Sequence, residues 1–414
     1  MNYCIIGNGV AATAAVEAIR ELDEEGRITV ISAEPYPVYS RPLITYLLSG
    51  KVDEGDMLYR DEGFYQRKKV DLIMKRAVSI DTEEREVLLE DGGKVPFDKL
   101  LIATGGKPFV PEISGLDKEG VFTFTTWDDA KQISEMVEQV SHALVVGGGM
   151  IGLKATESLV QLGVKVTVVE LADRVLSVVF DPEASSIMEE HLRSFGVDII
   201  TENSVEEIAG DARVKKAILR DGREVECEMV IIAIGVRPNL DLVKDTGIDV
   251  NRGIVVDSHM ETSIKGIFAA GDVAEAFDML NRDKRPIPIW PSAYRQGRIA
   301  GYNMAGSTAE YTGGFSQNSI EVLGLPTISL GITNPNGGGY EVLKKRISDK
   351  EYKKIVLKDD TIVGAIFIGC IDRAGIITGL IRDGINVKSF KKALLDDDFG
   401  FVTFPKELRM EKLR

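Results

Sequence analysis

One repeated pattern governs what this chain can fold into. A short apolar strand, a glycine turn and an alanine-rich helix open the sequence, and the same series returns 140 residues later. In the first copy, apolar residues 3–7 lead into Gly7-Asn8-Gly9-Val10-Ala11-Ala12; a helix is predicted over 10–22 and a second strand over 27–32, ending at Glu34. In the second, a strand over 143–146 leads into Gly147-Gly148-Gly149, a helix over 150–162 stopped by Gly163, and a strand over 165–169 ending at Glu170. These are two βαβ units with G-x-G-x-x-A and G-x-G-x-x-G turns. The first glycine permits the tight turn, the second lets a pyrophosphate approach the backbone, and Ala12 or Gly152 allows the helix to pack on the strand. The helix amino end then offers unpaired N–H groups and a partial positive charge to phosphates.

The acids sharpen this reading. Glu34 lies 27 residues after Gly7, and Glu170 lies 23 after Gly147, near the spacing of about 20 at which a carboxylate meets ribose hydroxyls. Glu170 would accept from a 2'-hydroxyl and repel a 2'-phosphate, which favours NADH over NADPH. Arg174, four residues beyond, is the group that could serve a 2'-phosphate instead. Two dinucleotide folds in one chain could hold two nicotinamides, one working and one dead site, or a flavin and a nicotinamide.

Length and charge narrow the class. With 414 residues the chain is expected to form two or three domains, and its formal charge of -15 argues against nucleic acid or an anionic membrane as main partner. The cysteines Cys4, Cys227 and Cys370 are far apart, so neither a disulfide framework nor an iron-sulfur cluster spacing exists. Met1-Asn2-Tyr3 leaves no room for a secretory signal before the first strand, and no uncharged apolar run of membrane length occurs. A cytoplasmic location is expected.

Three further segments end in small residues: Leu100-Leu101-Ile102-Ala103-Thr104-Gly105, Val230-Ile231-Ile232-Ala233-Ile234-Gly235, and a strand over 262–273 that closes in Gly271-Asp272. With the two glycine turns, these resemble in order and spacing the FAD-dependent pyridine nucleotide-disulfide oxidoreductase superfamily over residues 1 to about 305. The resemblance implies an α/β fold of two Rossmann-like dinucleotide-binding domains, with an α+β carboxy-terminal domain after them. The implied boundaries are an FAD-binding domain in two parts (1–112 and 241–308), an NAD-binding domain (113–240) and the carboxy-terminal domain (309–414). It implies that Asp272 hydrogen-bonds the flavin ribitol, that Thr104 and Gly105 lie along the flavin nucleotide, and that a helix from Pro291 points its amino end at the flavin. Trp290 is a candidate flavin neighbour or a plain core aromatic. Ala11, Ala77, Ile151, Gly235 and Gly271 complete the implied cofactor-binding set.

Where the disulfide-reducing branch carries Cys-x4-Cys and other branches a single cysteine, this chain has Tyr39-Ser40-Arg41-Pro42-Leu43-Ile44. That segment is similar to those of rubredoxin, ferredoxin and nitrite reductases. The similarity implies that Arg41 lies against the FAD, with Pro42 shaping the turn; the alternative for Arg41 is a solvated cation. A flavin-side Lys and a Glu after the second glycine turn, paired in many relatives, are replaced here by Tyr46 and Lys154. Lys154, a cation in the first turn of a helix, should need an anion nearby; either it serves the flavin or the nicotinamide pyrophosphate, or it points to solvent.

His142, His191 and His259 are scattered and read as structural or exposed, and no catalytic side chain or metal site is expected. The implied activity is hydride transfer from NADH to FAD, followed by electron delivery to an iron-sulfur carrier or a subunit of a larger oxidoreductase. A redox-responsive binding module and an oxygen-using NADH oxidase are the alternatives.

After residue 306 the texture changes to strands over 340–346, 352–358 and 362–369, with Asp359-Asp360 as a hairpin turn, and helices over 374–382 and 387–395. The segment Thr333-Asn334-Pro335-Asn336-Gly337-Gly338-Gly339 reads as a surface loop. The aromatics of 398–405 are expected on the core rather than at a docking edge, and Cys370 as a core residue on a strand.

Overall fold

The computed structural model describes residues 1–412. The chain divides into two compact units, Met1–Phe109 with Val236–Phe315, and Val110–Gly235 with Ser316–Arg414.

The first unit is built on a parallel sheet in the order Ile267–Ala269, Lys99–Ile102, Asn2–Ile6, Arg27–Ile31, Val70–Ile73. Asn2–Ile6 and Arg27–Ile31 are each exposed at one residue and buried at the next four, the pattern of strands covered on both faces. The helix Val10–Leu22 lies against the helix Trp290–Met304, and small residues set their separation. A Cβ at Gly297 would stand 2.1 Å from the Ala11 carbonyl oxygen, and one at Gly301 would stand 2.5 Å from that of Ala15. The third small-ending strand is only Ile267–Ala269, shorter than expected, and the late helix begins at Trp290 rather than Pro291.

The second unit repeats the plan. Its parallel sheet runs Asp198–Ile200, Lys165–Val169, His142–Val146, Met229–Ile232, Val121–Thr123. Each unit also carries a three-stranded antiparallel sheet that periodicity did not reveal: Ala77–Asp81, Glu86–Leu89, Lys94–Pro96 in the first and Val205–Ala209, Lys216–Leu219, Glu224–Glu226 in the second.

The carboxy-terminal sheet of the second unit is antiparallel, in the order Gln317–Val322, Leu325–Gly331, Thr361–Ile368, Glu351–Lys358, Tyr340–Ser348. Asp359 and Asp360 turn its hairpin with φ of 50° and 56°, the left-handed pair that a two-residue turn requires. The helix Ala374–Arg382 forms as expected. The helix expected over 387–395 does not, and only a 3-10 turn, Lys391–Ala393, appears. Its start is committed elsewhere: Val387 N donates to Asp360 O, and Asn386 bridges to Thr361. Cys370 is a further correction. It lies beyond the end of its strand at Ile368, after Gly369 in a left-handed turn, and is half-buried. Phe399 and Phe404 pack with Phe390, as expected of core aromatics, but Phe401 and Val402 are exposed.

Candidate functional site

In the first unit, Gly7 adopts φ +107°, and a Cβ there would stand 2.1 Å from the Ala103 carbonyl oxygen, so the turn closes tightly over the adjacent strand end. Gly9 caps the helix with no side-chain hydrogen bond. A side chain added at Gly9 or at Gly105 would meet no atom within 4 Å, so both leave open space. Gly271 sits between the first turns of two helices: a Cβ there would be 3.3 Å from Ala11 Cβ and 3.6 Å from Ala293 Cβ. Gln296, buried, accepts from Gly271 N at 2.8 Å and holds that turn. The strand end thus delivers Asp272 beside two helix amino ends. Burial pushes the Asp272 carboxyl up to about 6, with the positive charge of Arg41 pulling the other way.

Glu34 accepts from Tyr39 OH at 2.6 Å and pairs with Arg41, so Arg41 meets the first acid of the motif. Pro42 lies in the 3-10 turn Arg41–Leu43 that follows. Asn8 accepts from Tyr65 OH at 2.8 Å and donates to Tyr36 O at 3.3 Å, tying the glycine turn to the segment after Glu34. Thr104 Oγ1 donates to Asn239 O, and Gly105 O accepts from Asn239 N. Ala12 is buried against the sheet, and Ala77 is a buried residue at the start of an antiparallel strand. Trp290 is half-buried at the first position of its helix and meets Tyr59 edge-on at 4.8 Å.

In the second unit, Gly147 adopts φ +110° and Gly149 caps the helix Met150–Gln161 with open space where a side chain would be. A Cβ at Gly152 would stand 1.9 Å from the Gly147 carbonyl oxygen, so only glycine fits. Ile151 is half-buried in the first turn, and Gly235, with φ +110°, likewise faces open space. Glu170 takes Gly148 N at 2.6 Å on one oxygen and Ala172 N at 2.8 Å on the other. Arg174 pairs with Asp173, and its Nε is buried without a hydrogen-bond partner. The anion that Lys154 requires is Glu157, which is almost fully buried; Lys154 also donates to Glu321 O at 2.9 Å.

Two of the three thiols are withdrawn from chemistry. Burial pushes Cys4 and Cys227 each up to about 12, which keeps them protonated. The histidines are structural: His142 shares a hydrogen bond with Thr167, His191 with Leu323 O and His259 with Ala309 O. Among the described residues no helix is long and apolar enough to cross a membrane, and no cluster of three or more acidic, cysteine or histidine side chains could hold a metal ion.

Sequence reasoning missed Tyr39, Tyr65, Gln296 and Asn239. Each acts through a contact between segments distant in the chain or through a single hydroxyl or amide, and none leaves a local periodic signal.

Two family descriptions match. Residues 1–297 match the pyridine nucleotide-disulphide oxidoreductase model, and residues 317–385 match the rubredoxin NAD+ reductase C-terminal domain. The chain is 33% identical to the NADH-dependent phenylglyoxylate dehydrogenase subunit epsilon of Aromatoleum evansii, over 88% of this chain and 87% of that one. It is 32% identical to a nitrite reductase [NAD(P)H] of Bacillus subtilis over 94% of its own length, but it spans only 48% of that relative. The solved structure of an NAD-dependent persulfide reductase from A. fulgidus is similar with a TM-score of 0.89 and 30% identity, covering 97% of this chain and 80% of the other.

Proposed function

Because the chain belongs to the pyridine nucleotide-disulphide oxidoreductase family, an FAD-using family of NAD(P)H-dependent enzymes, we propose that it takes a hydride from NADH onto FAD and delivers the electrons to an external iron-sulfur protein or partner subunit. The observation that carries this reading is the pair of open glycine turns, each with an acid at the end of the next strand, in a chain with no cysteine in the Tyr39–Ile44 segment and with Cys4 and Cys227 buried.

The first unit suits FAD. Gly7, Gly9 and Ala11 would hold its pyrophosphate, Glu34 would serve the ribose, Thr104 and Gly105 would bind along the nucleotide, and Ala77 would complete the set. Asp272, delivered by Gly271, would accept from a ribitol hydroxyl. That bond stabilises the carboxylate and offsets the burial that raises its pKa. When bound, FAD accepts a hydride and can release its electrons singly, which nicotinamide does not do readily. The helix Trp290–Met304 directs its unpaired N–H groups toward negative charge that develops nearby, an effect worth about 0.3–1 kcal/mol when exposed.

The second unit suits NADH. Gly147 and Gly149, with Ile151, receive the pyrophosphate at the start of their helix, Gly152 keeps that helix close, and Gly235 leaves the adjacent strand end open. Glu170 presents a carboxylate to the 2'-hydroxyl and disfavours a 2'-phosphate. No side chain exchanges a proton in this scheme; the chain binds, aligns and excludes water. We read Lys154 as neutralised by Glu157 on its own helix and as tying that helix to the strand Gln317–Val322 through Glu321 O, and Arg41 as fixing Glu34 and biasing Asp272 toward its charged form. The boundaries 1–112, 113–240, 241–308 and 309–414 remain our functional division. We place the protein in the cytoplasm, where three unpaired cysteines are at home.

The test is anaerobic mixing of FAD-loaded protein with NADH, then with oxidised rubredoxin or ferredoxin. Rapid bleaching by NADH and rapid recovery on adding the carrier are expected. Bleaching without recovery favours a redox-responsive module, fast recovery with oxygen alone favours an oxidase, and no bleaching rules out the reading.

A further inference from the structure

The loop that follows Glu170 is hydrogen-bonded to the second glycine turn, and the carboxy-terminal domain holds it there. Gly148 N donates to Glu170, and Leu176 N returns to Gly148 O at 2.9 Å, with Leu176 in the left-handed region at φ 53°. A leucine in that conformation needs outside support. Part of it comes from the next helix: Ser185 Oγ donates to Val175 O at 2.7 Å, and Val175 N donates to Glu189 at 3.2 Å.

The rest comes from far along the chain. Asn334, in the loop between Leu325–Gly331 and Tyr340–Ser348, donates through its single amide nitrogen to Ser177 O at 3.1 Å and Phe180 O at 2.9 Å. At the loop's end Asp181 accepts from Tyr352 OH at 2.8 Å and Lys354 Nζ at 2.9 Å, all three buried, while its other oxygen caps the helix Pro182–Ser194. Hydrogen bonds from Ala184 N, Lys354 and Tyr352 hold the Asp181 carboxyl below the usual range although burial opposes them.

We propose that the carboxy-terminal domain is a positioning element for the pyridine nucleotide, with Asn334, Tyr352 and Lys354 clamping the 171–181 loop so that Glu170 and Gly148 meet the ribose and pyrophosphate in fixed geometry. This rests on reading the Gly147–Glu170 half as the NADH site. The carboxy-terminal sheet then acts on nucleotide affinity through the 171–181 loop.

Steady-state kinetics with the FAD-loaded full chain test it. Asn334→Ala, in a surface loop, should raise the KM for NADH about five- to thirty-fold, the effect of losing one or two hydrogen bonds. Its kcat, flavin content and visible spectrum should match wild type, as should every property of Asn336→Ala in the same loop. Lys354→Met should raise KM in the same way. An unchanged KM in Asn334→Ala, or an equal fall of kcat and flavin content there, overturns the proposal. Glu170→Ala is measured in parallel: a raised KM there beside an unchanged Asn334→Ala leaves the nucleotide site standing and removes only the clamp, whereas an unchanged KM in both removes the site as well.

Discussion

The two glycine turns share one backbone plan and differ in how each is held. In the first, an alanine occupies the third position and the acid is bound by side chains, Tyr39 and Arg41. In the second, a glycine lies 1.9 Å, at its absent Cβ, from a carbonyl oxygen, and the acid is bound by the backbone N–H groups of Gly148 and Ala172. A duplicated fold therefore conserves strand, turn and helix while leaving the fastening of the ligand-facing acid free to diverge. The first acid is tied to the Tyr39–Ile44 segment, whereas the second is tied to its own loop.

The largest difference should appear at the third position. Gly152→Ala forces a methyl group onto the Gly147 carbonyl and should cost about 3 kcal/mol, the upper range for overpacking. Ala12→Gly should cost less, about 2 kcal/mol at most, the helix propensity difference plus one buried methyl group. Urea unfolding of both variants measures this, and equal losses would break the contrast.

Next comes Asp272, which has no counterpart in the second unit. Its folded pKa is raised to about 6 by burial, above the unfolded value of about 3.9. The FAD-free protein is thus unpenalised below the unfolded pKa and loses stability as pH rises to the folded value, by up to about 3 kcal/mol. Asp272→Asn should flatten that dependence between about pH 4 and pH 6 while weakening flavin retention. A flat profile in the parent FAD-free protein would disprove it.

The acids come third. Glu170→Ala should weaken NADH on the order of tenfold and leave flavin content alone, while Glu34→Ala should do the reverse, each losing about 1.4 kcal/mol of ligand binding. Titration with NADH and flavin release measured side by side would show whether the division between units holds.

The smallest effect lies where the halves agree most. Arg27–Asp71 and Lys165–Asp198 join the second strand to the outer strand in each unit, and both pairs are more than half exposed. Breaking either by Asp→Asn should shift stability by about 0.5 kcal/mol or less, read from thermal unfolding.

Local pattern made the two βαβ units, the Asp359-Asp360 hairpin and the helix Ala374–Arg382 legible, because period, turn residues and length all agreed there. It overextended the strand at Ile267–Ala269 and placed a helix over 387–395, because it cannot see that Val387 and Asn386 are already paired with the hairpin at 360–361. The positive φ of Gly7 and Gly147, the open space at Gly9 and Gly149 and the close approach at Gly152 were legible from the motif itself. The engagement of Lys154 by Glu157 and Glu321 was half legible: the need for an anion follows from the helix dipole, but its identity does not.

By itself, the amino-acid sequence determined that this chain builds the same strand, glycine turn and helix twice and carries no cysteine in the Tyr39–Ile44 segment, since backbone conformation and residue type are local properties. Only the tertiary structure decided that Tyr39 and Arg41 hold the first acid, that Gln296 fixes Gly271, and that Asn334 reaches the loop after Glu170. Those contacts join positions that lie up to 157 residues apart, and a hydrogen bond between such groups exists only once the sheets that carry them have formed.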